Sequence, residues 1–305
     1  MILVPPPHED EPVTAPPPSS DAGRPVAPRT PVAPRTPVAP QPTRPMVPVR
    51  SDRARGETIS PPAPDEEAIT IHPLAPAIEF ATIAADRLKN VSDYQCLFVR
   101  REHLGGRLQQ AESVELKVRL QPLAISARCL GPEQPRGREV VYLSGGDRTK
   151  ASVYGAGVRG RLVRAEAVSI DDPRLLGKSR HRLLEYGVHR LADDLITQYR
   201  HDADYGECRV RLVRDVRVDG RACVCVEVHH PAVRRNFLFN VTRAYFDEQL
   251  QLPIRWEAYT WPSKPGTQSV LLEEYTYEKL TINNGLTDAD FDPRRTAAKA
   301  PAGQR

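Results

Sequence analysis

Hydrophobic and polar residues follow three regimes along this chain. Up to about residue 70 they show neither a helical nor a strand period. From 76 to 90, Ile78, Ala81, Ala85 and Leu88 recur at helical spacing, and Pro76 sits where a first turn accepts a proline, so a helix is predicted there. Beyond it the period drops from about 3.6 to about 2. Val114, Leu116, Val118 and Leu120 alternate with Glu115, Lys117 and Arg119, the pattern of a strand buried on one side. Further strands are predicted at 94–103, 124–130, 138–144, 149–154, 208–218, 222–230, 236–246, 253–260 and 270–282. A second amphipathic helix is predicted over 187–200, from Val188, Leu191, Leu195 and Ile196, after a loop at 171–182.

Turn signals punctuate the strands: Gly105-Gly106, Gly145-Gly146-Asp147, Asp219-Gly220 and Asn284-Gly285. Asp219-Gly220 stands between RVRLVRDVRV and RACVCVEV. A type I′ hairpin turn needs positive φ at both central positions, which Asp and Gly tolerate best. Short hairpins mean antiparallel pairing. The fold class expected is mainly β (α+β): a large curved antiparallel sheet or unclosed β-barrel, with an N-terminal helix and one further helix.

Proline divides the chain. Of its 31 prolines, 19 precede Glu67, and residues 1–66 carry no aromatic and few large aliphatic side chains. Such a segment buries too little apolar surface to offset its ordering entropy. Residues 1–70 are expected to be a disordered Pro/Arg-rich arm, 71–295 a single β-rich domain and 296–305 a disordered tail. The repeat PVAPRT-PVAPRT-PVAP at 25–40 favours extended polyproline II, a semi-stiff spacer.

Charge narrows the function classes. The net charge is +4 over 305 residues, and basic side chains alternate with Glu and Asp along nearly every strand. They do not gather on one face with interleaved aromatics, so no nucleic-acid partner is expected. The five cysteines are odd in number and show no CxxC spacing, which signals neither a disulfide framework nor a zinc site. No apolar run approaches the ~18 residues of a transmembrane helix. Met1-Ile2-Leu3-Val4 runs straight into Pro5-Pro6-Pro7. No secretory signal is read there, and the literal expectation is a cytoplasmic protein.

No motif assigns an activity. Gly155, Gly157 and Gly160 spell GxGxxG, but an alternating stretch follows where a dinucleotide site needs a helix; the reading is a hairpin loop. Cys223, Cys225, Glu227 and His229 share one strand face. One strand cannot close a tetrahedral shell, so neither metal nor cofactor is expected. There is no GxSxG elbow, no HExxH and no P-loop. Glu273 and Glu274 are adjacent, point to opposite faces, and are read as solvated charges rather than a catalytic pair. The aromatics are more suggestive. Tyr245, Phe246, Trp256, Tyr259, Trp261, Tyr275 and Tyr277 cluster late in the chain, making either an ordinary core or an apolar cleft.

Several segments resemble a known family. They are DYQCLFVRRE (93–102), LKVRLQP (116–122), GREVVYLSG (137–145), HHP (229–231), YFDEQLQLPIRWEAYTWP (245–262), LLEEYTYEKL (271–280) and LTDADFD (286–292). Together they resemble the bacterial family known as domain of unknown function 1571, over about residues 77–292. No activity or catalytic residue comes with that resemblance. Its members look exported, which implies the cell envelope or periplasm. The layout is also similar to the lipoprotein-carrier fold of the bacterial envelope, an unclosed barrel whose concave side takes acyl chains. The resemblance implies a non-enzymatic binding or carrier domain for a hydrophobic or amphipathic ligand, such as a lipid or lipoprotein. Trp256, Tyr275, Tyr277, Tyr259 and Trp261 are its candidate ligand-binding residues. The alternatives are an interaction module tethered by the Pro-rich arm, or a hydrolase with a non-local site.

Overall fold

The structure, a computed structural model, describes residues 72–131, 136–156, 165–172, 175, 179–264 and 267–294. The arm expected at 1–70 and the tail at 296–305 lie outside the described residues, as do Gly157 and Gly160 of the glycine motif.

Helix α1 spans Ala75–Leu88, with proline in its first turn, and buries Ala77, Ala81, Ala84 and Leu88. The strands are β1 (Asp93–Leu104), β2 (Arg107–Leu108), β3 (Glu112–Arg119), β4 (Ala124–Gly131), β5 (Glu139–Leu143), β6 (Lys150–Tyr154), β7 (Glu166–Ser169), β8 (Arg209–Val218), β9 (Arg221–His229), β10 (Val241–Asp247), β11 (Pro253–Thr260) and β12 (Val270–Ile282). Helix α2 (Val188–Ala203) joins the two groups of strands. Two predicted details need correction. The strand expected from 236 begins at Val241, because Phe237 and Phe239 are buried plugs in a turn rather than paired strand residues. The buried stripe of α2 is Val188, Ala192, Leu195, Tyr199 and Asp202, running one turn past the predicted end.

The strands form one open antiparallel sheet in the order β7-β6-β5-β4-β3-β1-β12-β11-β10-β9-β8, with β2 attached to β1. Two meanders thus meet where β1 pairs with β12, nearly two hundred residues apart in sequence. The Asp219-Gly220 turn is type I′, with φ of 50° and 76°. This turn also curls the sheet. Its Asp219 Oδ2 accepts the backbone N–H of Lys279 at 2.6 Å, and Arg221 reaches the Leu280 carbonyl at 2.9 Å, spanning β10 and β11 to touch β12. Lys279 itself has φ of 52° and sits at a bulge against β1.

The two faces differ in kind. The inner face carries the main core with both helices against it, and the alanine stripe of α1 allows close packing on α2. Part of the outer face is covered by Phe291 on Ala124 and Val141. Elsewhere the outer face is a row of directly opposed charges. Arg211, Glu227, Arg243, Glu257, Glu274 and Arg101 follow one another across six strands. Ion pairs join them from Arg211 to Arg101, and Arg255 bridges the one like-charged step, Glu257 opposite Glu274. That row covers the outer face with paired charge, Glu257 at its centre being 6% exposed, while the inner face takes the apolar core.

Candidate functional site

Strand parity puts Trp256, Tyr275 and Tyr277 on the inner face. Tyr275 lies directly opposite both Trp256 and Arg100, and Tyr277 directly opposite Phe98. Phe98 stacks on Tyr277 at 5.1 Å between ring centroids and also meets Tyr186 at 5.1 Å. All three candidate aromatics are packed, at 5% exposure or less. Tyr259 lies on the outer face, where its hydroxyl donates to Glu257 at 2.8 Å and Arg243 sits over its ring. Trp261 lies just beyond β11, half-buried. The five candidates therefore do not form one surface: three make an inner floor, and two stand apart.

Beside that floor is a feature that the spacing of charges did not signal. Glu102 on β1 and Glu273 on β12 are Cα partners, and both are 3% exposed. Glu273 is thus not the solvated charge expected of it. Residues 179–186 come down from the loop to satisfy the pair. The Arg180 guanidinium and His181 Nε2 each approach Glu273 Oε2 at 3.1 Å, and Trp256 Nε1 donates to Oε1 at 3.1 Å. Glu102 accepts from Ser179, from the backbone N–H of Arg180 and from the hydroxyls of Tyr186 and Tyr275 at 2.7–3.1 Å. Arg100 adds a bond to the Tyr186 hydroxyl and pairs with Glu112 at 2.9 Å.

The electrostatics follow from that geometry. Burial pushes Glu273 up, but His181, Arg180 and Trp256 outweigh it and hold the carboxyl at about 2. Burial pulls His181 down, but Glu185 and Glu273 overcome it and raise the imidazole to about 10. The cluster is an ion-paired clamp at neutral pH. Its carboxylate oxygens are all engaged by protein donors, which leaves neither glutamate free for acid–base work. A cavity of about 20 Å³ lies beside it, lined by Arg100, Glu112, Val114, Ala127, Arg138 and Leu175. That is room for about one water.

The clamp also anchors the start of α2. Gly187 precedes the helix with φ of 116°, and its N–H donates to the Tyr277 hydroxyl at 3.2 Å. Tyr94 Oη meets His189 Nδ1 at 2.7 Å. Burial and neighbouring Arg190 lower His189 to about 4, so the ring is neutral there. A Cβ at 187 would collide with Tyr94 Oη and lie 2.8 Å from His189 Nδ1. Gly187→Ala is expected to lose about 2–3 kcal/mol of stability, from the disfavoured φ and the clash together, as measured by urea denaturation.

On β9, Cys223 and Cys225 are buried and Glu227 is held by Arg211 and Arg243. Among the described residues no group of three or more His, Cys, Asp or Glu side chains is placed to hold a metal ion. No helix among them is long and apolar enough to cross a membrane.

Comparison with known proteins gives one family. A model described as "Protein of unknown function (DUF1571)" matches residues 91–300. No curated protein sequence matches. Among solved structures, an uncharacterized conserved protein of Thermus thermophilus aligns over 71% of this chain and 92% of its own, at 11% identity and a TM-score of 0.39. MucB, in the Pseudomonas aeruginosa MucA/MucB complex, aligns over 71% of this chain but only 60% of its own, at 16% identity and 0.40. The Mycobacterium tuberculosis lipoprotein LppX aligns over 70% and 97%, at 11% identity and 0.39.

Proposed function

This chain belongs to the DUF1571 family of proteins of unknown function, and from that premise we propose that its domain is a non-enzymatic binding or carrier module of the bacterial cell envelope. Its ligand is hydrophobic or amphipathic, a lipid or lipoprotein, taken up between α2 and the inner face of the sheet. One observation carries the reading: an aromatic and aliphatic floor on an open sheet, roofed by helices rather than by a second sheet. Trp256, Tyr275 and Tyr277 are the floor residues in this proposal. Tyr259, on the outer face, is not. A drug-sized or acyl ligand needs several hundred Å³, far more than the cavity of about 20 Å³ beside Arg100, so in this proposal the roof lifts to take it up there. The saturated carboxylates at Glu102 and Glu273 speak against the hydrolase alternative at this site.

The test is direct. Protein expressed with export to the envelope is expected to carry bound lipid, detected by organic extraction and mass spectrometry. Delipidated protein is expected to take up a fluorescent fatty acid with a Kd in the micromolar range, about −8 kcal/mol. A folded wild type that carries no lipid and takes up no fatty acid sinks the proposal. The weight then moves to an interaction module using the outer strands β7 and β8, which pair on one side only among the described residues.

A further inference from the structure

The strands from β1 round to β8 finish at a common end. Arg209, His229, Val241, Tyr259 and Leu271 are successive Cα partners across five strands. Glu273, two residues on, faces Glu102 near the end of β1. Past that row lie the β1–β2 turn, the connection from α2 to β8, and the β9–β10 and β11–β12 loops. The last three touch one another. Tyr205 meets Phe237 edge-on at 6.0 Å between ring centroids. Arg234 pairs with Glu207 at 2.9 Å. Ser269 Oγ donates to Asn240 Oδ1 at 2.6 Å.

This end is apolar and basic together. Of the six exposed large hydrophobic residues among the described ones, four stand here: Leu108, Tyr205, Val270 and Val233, the last 70% exposed. Arg107, Arg209, Arg234, Arg235 and Lys264 are exposed beside them, against only Asp204 and Glu207, and Arg234 already holds Glu207. The other end of the same strands has the opposite character. Its turns at 219–220, 248–252 and 283–286 carry Asp219 and Glu248 and neither lysine nor arginine. A single exposed apolar side chain needs no explanation. Four at one end, on separate loops and each near a cation, do. A protein partner buries a contiguous patch with a packed centre, which separate loop tips do not offer. A bilayer surface takes such tips singly: apolar and aromatic side chains settle at headgroup level, and arginine and lysine meet the anionic lipids.

We propose that this end of the sheet docks onto the surface of an anionic phospholipid bilayer. Val233 and Tyr205 enter the headgroup layer, and Arg209, Arg235 and Lys264 face the lipid phosphates. The acidic turns at the far end are held away, so the charge difference between the two ends sets the orientation. The docking end is separate from the inner face and does not rest on the carrier reading: a chain that takes up no fatty acid still docks.

The full chain is expected to sediment with vesicles of phosphatidylcholine and phosphatidylglycerol, less so as salt rises, and not with phosphatidylcholine alone. Arg235→Glu with Lys264→Glu is expected to lower the partition constant at least about tenfold. The charge-matched control at the opposite end, Lys89→Glu with Arg148→Glu, is expected to leave it unchanged. That comparison separates a docking end from net charge and from the arginines of residues 1–70. Val233→Asp is expected to cost about tenfold, and Val233→Trp to gain about fivefold, the gain excluding a mere loss of fold. All these side chains are exposed, so Tm is expected to hold in every variant. Equal losses in the two double variants, or vesicle binding indifferent to residue 233, overturn the proposal. So does a wild type that ignores anionic vesicles; if it instead forms dimers that Val233→Asp dissolves, the end belongs to a second copy of the chain.

Discussion

Glu273→Gln is expected to lower Tm by on the order of 10 °C. Glu273 is 3% exposed, and it holds two cationic partners, Arg180 and His181, as well as the Trp256 indole. Removing one member of a buried charge cluster leaves the others without compensation, which costs about 3–5 kcal/mol. For a folded region of this size, each kcal/mol corresponds to about 2–4 °C. The same pair predicts a pH profile. Glu273 has its pKa depressed, from 4.5 to about 2. Its contribution is therefore complete above 4.5 and is lost as pH falls toward 2. His181 is raised, from 6.5 to about 10, so its contribution is complete below 6.5 and is lost as pH rises toward 10. The clamp thus stabilises most between 4.5 and 6.5 and fades on both sides. In Glu273→Gln the acid arm is expected to vanish, because its carboxylate is gone, and the alkaline arm to shrink without vanishing, because His181 keeps its contact with Glu185. Urea denaturation from pH 3 to pH 10 reads this out. A variant with wild-type slope on both arms would falsify the clamp.

The strands were legible because alternation and turn chemistry are local. Val114 to Leu120 and the Asp219-Gly220 turn each carry their own signal, and β3, β8 and β9 lie close to where that signal puts them. The pairing of β1 with β12 was not legible, because nothing near Tyr94 encodes a partner at Ile282. Charged residues were harder still. Arg100 and Glu102 continue the parity of Tyr94, Cys96 and Phe98, so β1 alone hinted that they face inward. That hint competes with the usual solvation of charge, and only the partners decide it. Those partners come from residues 179–186, a stretch without period that read mostly as loop. The outer-face position of Tyr259 relative to Trp256 did follow from parity. The depth at which Trp256, Tyr275 and Tyr277 lie did not, because it depends on how α2 crosses the sheet.

Trp256→Ala is expected to be at least as damaging as the loss of Glu273, and it separates stability from binding. The indole is 5% exposed, opposite Tyr275 and beside Phe239, and its Nε1 satisfies Glu273 Oε1. Truncating a buried aromatic to alanine removes its transfer energy and leaves a cavity, at about 3–5 kcal/mol. Here a carboxylate oxygen also loses its donor, which adds to the loss. A fall in Tm of ten degrees or more is expected at ~2–4 °C per kcal/mol. Because that loss follows from packing alone, it does not by itself implicate Trp256 in binding. Trp256→Phe, which keeps most of the ring volume although it too gives up the Nε1 donor to Glu273, is the variant that does, read with its Tm beside its affinity. If ligand rests on the floor once α2 lifts, Trp256→Phe loses part of one aromatic contact. It is then expected to weaken fatty-acid affinity by about threefold to tenfold, on the order of 1 kcal/mol. Tyr259→Phe, on the outer face, is expected to leave affinity unchanged. Equal affinities in wild type, Trp256→Phe and Tyr259→Phe, each measured below its own Tm, would take the floor out of the ligand's path.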